Sequence, residues 1–325
     1  MPEIKKILII RFSSFGDIIL TYPFITLLKK SFPDTRIDFL TKETYTPLVK
    51  MHAGVDNIVK YKNESIGDLK SVIKINNYDL IFDLHKNIRS VFSTLFTKPE
   101  KIRYKKNTIY KLLLVAFKIN LIDDIIPVYK RYIDALSEIH YQGYMDFLTT
   151  DLIFDKVPEE KEPYILIAPS SKHFTKTLPK EKFEAVIKEL KNKKIVLIGD
   201  NSEKDIEICK YLENISPGII NYCGKTNYNS LANLIYNSDL VICNDSGVLH
   251  LAEALGKKII VFFGSTVKEF GFYPQLQSTV IFENNNLKCR PCTHIGKSEC
   301  PKKHFNCMNG INVNEILIKI NENIS

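Results

Sequence analysis

No apolar run in these 325 residues is long enough to cross a bilayer, and no cleavable leader is visible, since Met1–Lys6 lead straight into the residues of a core strand. A cytoplasmic protein is expected, with peripheral contact at the cytoplasmic face of the inner membrane left open. There is no repeat of solenoid period and no low-complexity tract. Basic residues are not interleaved with aromatics as on a nucleic-acid platform. The first strand-to-helix turn, Arg11 to Asp17, lacks the repeated glycines of a dinucleotide site, which disfavours an oxidoreductase. No Asp-x-Asp stands at a strand end to hold Mg²⁺ against a diphosphate, and the Asp123-Asp124 pair lies in an apolar stretch. No Ser-His-Asp or Cys-His constellation points to a covalent intermediate.

What is present suits two ordinary domains. The chain is 45% hydrophobic and 25% charged, enough for two cores. Its 45 Lys and Arg against 37 Asp and Glu give a net charge of +8, which favours an anionic partner without choosing among phosphorylated glycolipid, membrane surface and nucleic acid. Strands alternate with helices in both halves. The pattern predicts strands at 5–10, 36–40, 57–60, 79–84 and 101–104, then at 164–168, 194–198, 218–222, 240–243, 259–263 and 279–282. Helices are expected at 17–31, 44–52, 66–76, 87–96 and 130–147, and at 180–191, 202–213, 228–236, 247–255 and 312–323. Such alternation implies parallel sheets covered on both faces. The prolines and charged run of Asp151 to Pro163 mark a linker between domains at 1–152 and 153–325.

Two segments carry the chemistry. In Leu240–Gly264 a buried-type strand breaks on Asn244, Asp245, Ser246 and Gly247 before a helix, leaving backbone N–H groups free to seat a phosphate; His250 follows about one turn later. Near the start, RFSSFGDIILTYP (Arg11–Pro23) turns from a strand into a helix with Asp17 in its first turn, where the helix dipole favours the ionised carboxylate a general base requires. Together with YDLIFDLHKNIRS (Tyr78–Ser90), ILIAPSSKHFTKTLPKEKFEAVIKEL (Ile165–Leu190), KIVLIGDNSEKD (Lys194–Asp205), CGKTNYNSLANLI (Cys223–Ile235) and the closing cysteine run, these segments resemble glycosyltransferase family 9, the heptosyltransferases of lipopolysaccharide assembly. The resemblance spans nearly the whole chain in family order. Leu178 stands where the family usually shows an aromatic residue.

The resemblance implies an α/β fold of GT-B architecture: two Rossmann-like domains facing across a cleft, acceptor on the first and nucleotide-sugar donor on the second, with the last helix packing back on the first domain. It implies an inverting, metal-independent transfer of a heptose from ADP-heptose to a lipopolysaccharide inner-core acceptor, with no cofactor. Asp17 would be the base. Lys176 would supply positive charge to the diphosphate, with Ser170 and Ser171 donating hydrogen bonds to it. Glu203 would accept the ribose hydroxyls, with Asp200 and Asp205 as close rivals. Asp245 would orient sugar hydroxyls, Ser246 and Gly247 would bind phosphate, and His250 would donate to it. Another nucleotide sugar and glycan acceptor, or a non-catalytic nucleotide-binding protein of the same fold, are the alternatives.

Cys209, Cys223 and Cys243 fall on predicted elements and read as small core residues. Cys289, Cys292, Cys300 and Cys307 form a C-x2-C-x7-C-x6-C cluster, by spacing a zinc or iron–sulfur candidate; the resemblance implies a structural clip, for which zinc, disulfides and free thiols all stay open. Tyr110 to Ile122, apolar and flanked by lysines, is expected to be a core helix, with an interfacial anchor kept as the alternative because the acceptor that the resemblance implies is a lipid.

Overall fold

Runs such as Ile7–Ile10 and Leu240–Cys243, apolar without alternation, suit strands covered on both faces, and each lies inside a parallel sheet. The structure is a computed structural model that describes residues 4–139, 152–190 and 192–324. Its contacts divide the chain into two units, Met1–Asn107 with Ile126–Ile153, and Thr108–Ile125 with Phe154–Ser325.

The first unit contains β1 (Lys6–Ile10), β2 (Arg36–Lys42), β3 (Asn57–Tyr61), β4 (Leu80–Asp83) and β5 (Glu100–Arg103), all parallel, in the order β3-β2-β1-β4-β5. The second contains β6 (Tyr164–Ala168), β7 (Lys194–Leu197), β8 (Ile219–Asn221), β9 (Leu240–Asn244), β10 (Ile259–Phe263) and β11 (Thr279–Glu283), in the order β11-β10-β9-β6-β7-β8. Both are doubly wound α/β sheets. In each, the strand order reverses beside the first strand, between β1 and β4 and between β6 and β9. Successive connections there leave in opposite directions and open a crevice beyond the carboxyl ends, where ligands of such sheets bind.

The expected strands all form, and the helices depart in instructive ways. The helix expected at 17–31 is two, Phe15–Ile19 and Tyr22–Ser31. Pro23, with no N–H to continue the ladder, sits at the start of the second, and the Thr21 hydroxyl donates to the Ile18 carbonyl at 2.7 Å across the break. The helix expected at 130–147 begins as Val128–Ile133 and tightens to a 3₁₀ turn over Asp134–Ile139; residues 140–147 lie outside the described residues. The core-helix reading of Tyr110 to Ile122 is overturned. Helix Thr108–Phe117 buries only Leu114, which packs with Ile122 and Phe270 in the second unit. The final helix, Val313–Ile324, buries Ile316 and Ile320 in the core of the second unit.

Candidate active site

In the first unit, the chain leaving β1 places Arg11 and Asp17 at the switch point. Ser14 opens the helix Phe15–Ile19 as its N-cap, and its hydroxyl donates to Asp17 Oδ2 at 2.7 Å. Asp17 Oδ1 meets Arg11 Nη2 at 2.6 Å. The rest of the Arg11 guanidinium is fixed by backbone carbonyls, Nε on Ser13 at 2.7 Å and Nη1 on Leu84, just past β4, at 2.6 Å. One arginine thus ties together the two loops that flank the crevice and aims the carboxylate. Burial pushes the Asp17 carboxyl up, but Arg11 and the Ser14 hydrogen bonds outweigh it and hold the group below its ordinary value. Asp17 is therefore an ionised acceptor at neutral pH.

The Asp-Leu-His motif has a structural reason. Asp83, fully buried at the end of β4, accepts from the N–H groups of His85 and Lys86 and from the Ser90 hydroxyl, and it pairs with Arg103 at 3.4 Å. This shapes the turn that presents His85, whose ring meets Phe12 edge-on. Burial and the Arg11 charge push the imidazole down to about 3, so it is neutral, and its Nδ1 is buried without a hydrogen-bond partner among the described residues. Two residues that the sequence presented only as helix join this end of the sheet. Tyr132 lies under Arg11, 5.9 Å from guanidinium carbon to ring centre, and packs edge-on against Tyr104. The Tyr132 hydroxyl and Arg131 Nε and Nη2 are buried and have no hydrogen-bond partner among the described residues. Buried polar groups are rarely left so, and such groups beside a crevice are available to a ligand.

In the second unit, Asn244 at the end of β9 laces the switch point shut from below. Its Oδ1 accepts from Leu178 N at 2.8 Å, and its Nδ2 donates to Ala168 O at 3.4 Å. Above it, Lys176 Nζ lies 2.7 Å from Asp245 Oδ2, and the Thr266 hydroxyl donates to the same oxygen at 2.7 Å. Burial pushes the Asp245 carboxyl up; Lys176 and Thr266 reverse this and keep it ionised. Ser246 is the N-cap of helix Gly247–Ala254, yet its hydroxyl caps no N–H and is buried without a partner among the described residues. His250, one turn on and buried, engages Glu253 through Nδ1 at 3.4 Å, while Glu253 also accepts from Gln275 N at 2.6 Å.

The remaining candidates divide. Ser170 and Ser171 are both buried after β6; Ser171 donates to the His173 carbonyl at 3.1 Å, and Lys204 Nζ donates to the Ser171 carbonyl at 2.9 Å. Lys204 escaped the sequence reading, although it adjoins Glu203. Glu203 is exposed in the first turn of helix Glu203–Glu213. Its rivals are engaged in the turn: Asp205 accepts from Asp200 N at 3.0 Å, and Asp200 accepts from Ser202 N at 2.7 Å.

The cysteine segment reaches this site through its backbone. Thr175 N donates to Lys297 O at 3.1 Å, Lys297 N to the Thr175 hydroxyl at 2.9 Å, and Cys292 N to Ser265 O at 3.2 Å. Phe305 stacks on Phe174 at 4.6 Å, so the segment clamps the 3₁₀ turn Phe174–Lys176. All seven cysteines are free, and among the described residues no three metal-ligating side chains converge. Burial pushes the Cys307 thiol up to about 11 and raises Cys292 as well.

Two doubly wound parallel sheets, each with an ion pair at its switch point, define an α/β protein of the GT-B glycosyltransferase class. Residues 66–303 match glycosyltransferase family 9 (heptosyltransferase), and the chain belongs to that family. It is a glycosyltransferase of the heptosyltransferase type. It is 26% identical to lipopolysaccharide heptosyltransferase 3 of Escherichia coli K12, over 86% of this chain and 88% of that one. It is also 26% identical to lipopolysaccharide heptosyltransferase 1 of Campylobacter coli, over 98% of each. The solved structure of E. coli ADP-heptose lps heptosyltransferase II superposes with a TM-score of 0.74 at 18% identity, over 98% of each chain.

Proposed function

We propose that this enzyme transfers a heptose, or a closely related sugar, from an ADP-sugar to an inner-core lipopolysaccharide acceptor with inversion, without a metal ion. The observation that carries the reading is the Arg11–Asp17 pair at the first switch point, an ionised carboxylate paired with a guanidinium that two backbone carbonyls hold in place. The acceptor occupies the first domain, 1–152, and the donor the second, 153–325. The acceptor hydroxyl oxygen attacks the anomeric carbon and its proton passes to Asp17. The bond from that carbon to the diphosphate oxygen breaks with its electrons, and ADP leaves. Arg131, Tyr132 and His85, with their unpartnered groups, receive polar groups of the acceptor near Asp17.

On the donor side, Lys176 is aimed by Asp245 and neutralises the diphosphate, as a cation does in a closed site of low dielectric. The uncapped helix start at Ser246 and Gly247 binds phosphate through backbone N–H groups, with the Ser246 hydroxyl and His250 as further donors. Ser170 and Ser171 line the same loop. Asp245 orients sugar hydroxyls with the lone pairs that Lys176 and Thr266 leave, and Glu203 binds the ribose. Family membership and the donor in the name of the E. coli structure support ADP over other nucleotides. A thermal-shift panel of ADP, UDP, GDP, CMP and NAD tests this: ADP alone should raise the melting temperature substantially. Preferential stabilisation by a uridine or guanosine diphosphate would refute the donor assignment, and by NAD the enzyme class.

A further inference from the structure

Glu253 is a buried carboxylate that the transfer reaction, as drawn above, does not use. It lies in the last turn of helix Gly247–Ala254, with its side chain 2% exposed. Oε1 accepts from Gln275 N at 2.6 Å, and Oε2 faces Nδ1 of His250, one turn back on the same helix, at 3.4 Å. Among the described residues no lysine or arginine pairs with it. A buried carboxylate is costly unless a cation or several hydrogen bonds compensate it. The group within reach that can become a cation is His250.

The His250 ring is itself buried and packs 6.1 Å from the Phe272 ring, centre to centre. A neutral imidazole has one N–H and one lone pair, whereas an imidazolium has two N–H groups. With Nδ1–H given to Glu253, a neutral His250 turns the Nε2 lone pair toward an arriving phosphate and repels it. The protonated ring donates from both nitrogens, to Glu253 on one side and to phosphate on the other. Two carboxylates favour that state: Glu253, and Asp245 just before the helix, whose carboxyl the His250 charge helps to hold down. Lys176 opposes it but is paired with Asp245, and Lys111 stands against the Phe272 ring at 5.5 Å from its centre. Burial pushes the Cys243 thiol up, so it stays neutral behind Glu253. We propose that Glu253 is a positioning residue for donor binding: it holds the Nδ1 proton of His250, so that a nucleoside diphosphate is met by an imidazolium through Nε2–H. The second proton comes from solvent and adds to the Nε2 lone pair as the ligand binds. This rests on the donor assignment above and deepens it.

The test is a calorimetric titration of the full chain with ADP in two buffers of different ionisation enthalpy, which counts the protons bound with the ligand. At about pH 7.5, where an ordinary imidazole is mostly neutral, the wild type should take up more than about half a proton per ADP. Glu253→Gln keeps an acceptor for Gln275 N and turns an amide N–H toward Nδ1, which leaves His250 neutral with its proton on Nε2. That variant should melt like the wild type, lose the proton uptake and bind ADP about tenfold more weakly. His250→Gln should lose the uptake too, and adding Glu253→Gln to it should weaken ADP binding no further. If Glu253 served only to anchor Gln275, its replacement would leave the uptake unchanged and act equally in both backgrounds, which overturns the proposal. Nitrogen NMR of the wild-type complex needs no variant: both ring nitrogens of His250 should carry protons, and a bare Nε2 overturns the proposal as well. ADP bound without proton uptake sinks the role of Glu253 and leaves the donor assignment standing. ADP that does not bind the wild type at all sinks both.

Discussion

Replacing Lys176 by Met separates the structural from the catalytic role of its charge. The Lys176 and Asp245 side chains are 16% and 5% exposed, with 2.7 Å between Nζ and Oδ2. At an effective dielectric of about 20 their attraction is about 6 kcal/mol, but much of this repays the desolvation of both groups. Removing one partner of such a pair costs about 3–5 kcal/mol, because the other charge stays buried. Here the lower end applies, since Lys176 is partly wetted and the Thr266 hydroxyl still donates to Asp245. A loss of about 3 kcal/mol should lower the melting temperature by about 6–12 °C in a domain of this size. Lys176→Met with Asp245→Asn removes both charges and should recover most of that stability while remaining unable to bind ADP tightly. Calorimetric melting and an ADP titration of the two variants read the two effects apart. A single variant that melts within about 2 °C of the wild type, or a double variant no more stable than the single, would refute the reasoning.

Arg11→Gln should move the acid limb of the kcat/KM profile upward. The Asp17 carboxyl is depressed in the folded protein, so the stability it contributes is present above the ordinary carboxylate value and is lost as pH falls through the lower folded one; without Arg11, only the Ser14 hydrogen bonds oppose burial and the limb rises. An unchanged limb would show that Arg11 does not govern Asp17. Transfer should survive EDTA, because Lys176 and backbone donors meet the diphosphate; complete loss restored by Mg²⁺ would contradict this, whereas restoration only by Zn²⁺ would implicate the cysteine segment in folding. Gly264→Ala should destabilise by about 1–3 kcal/mol, since a Cβ there would lie 2.4 Å from the Thr175 carbonyl oxygen and 2.8 Å from Met308. It should also weaken ADP binding by displacing the turn that carries Lys176, and wild-type melting and affinity would count against the clamp.

Strands were legible because β1, β4, β6, β9 and β10 are short apolar runs with no alternation, a pattern parallel strands share with few other elements. Asp17, Lys176 and His250 were legible because each stands at a fixed offset from a strand end or a glycine, where the turn dictates direction. Arg131 and Lys204 were not. Both sit on helices whose periodicity reports which side chains are apolar, not which polar tip reaches a loop from another strand. Thr266 and Arg290 act by the same kind of long-range closure: Arg290 Nη2 donates to the Thr266 carbonyl at 2.8 Å and pairs with Glu283 at 2.8 Å. The exposed helix Thr108–Phe117 was misread for a related reason, since apolarity shows that a face must be covered and leaves open by what. Pro23 was the visible sign of the break that divides the first helix.

Asp17→Asn tests the central claim most directly, because it keeps shape and burial and removes the proton acceptor, while Arg11 retains the Ser13 and Leu84 carbonyls. ADP affinity by calorimetry and sugar transfer to a lipopolysaccharide inner-core acceptor should be measured on the same preparation. The expected result is wild-type ADP affinity with transfer reduced about 10²–10⁴-fold, the usual contribution of a positioned base. Transfer within a few-fold of the wild type at unchanged affinity would contradict the assignment of Asp17 and, with it, of the first switch point as the place where the acceptor is activated.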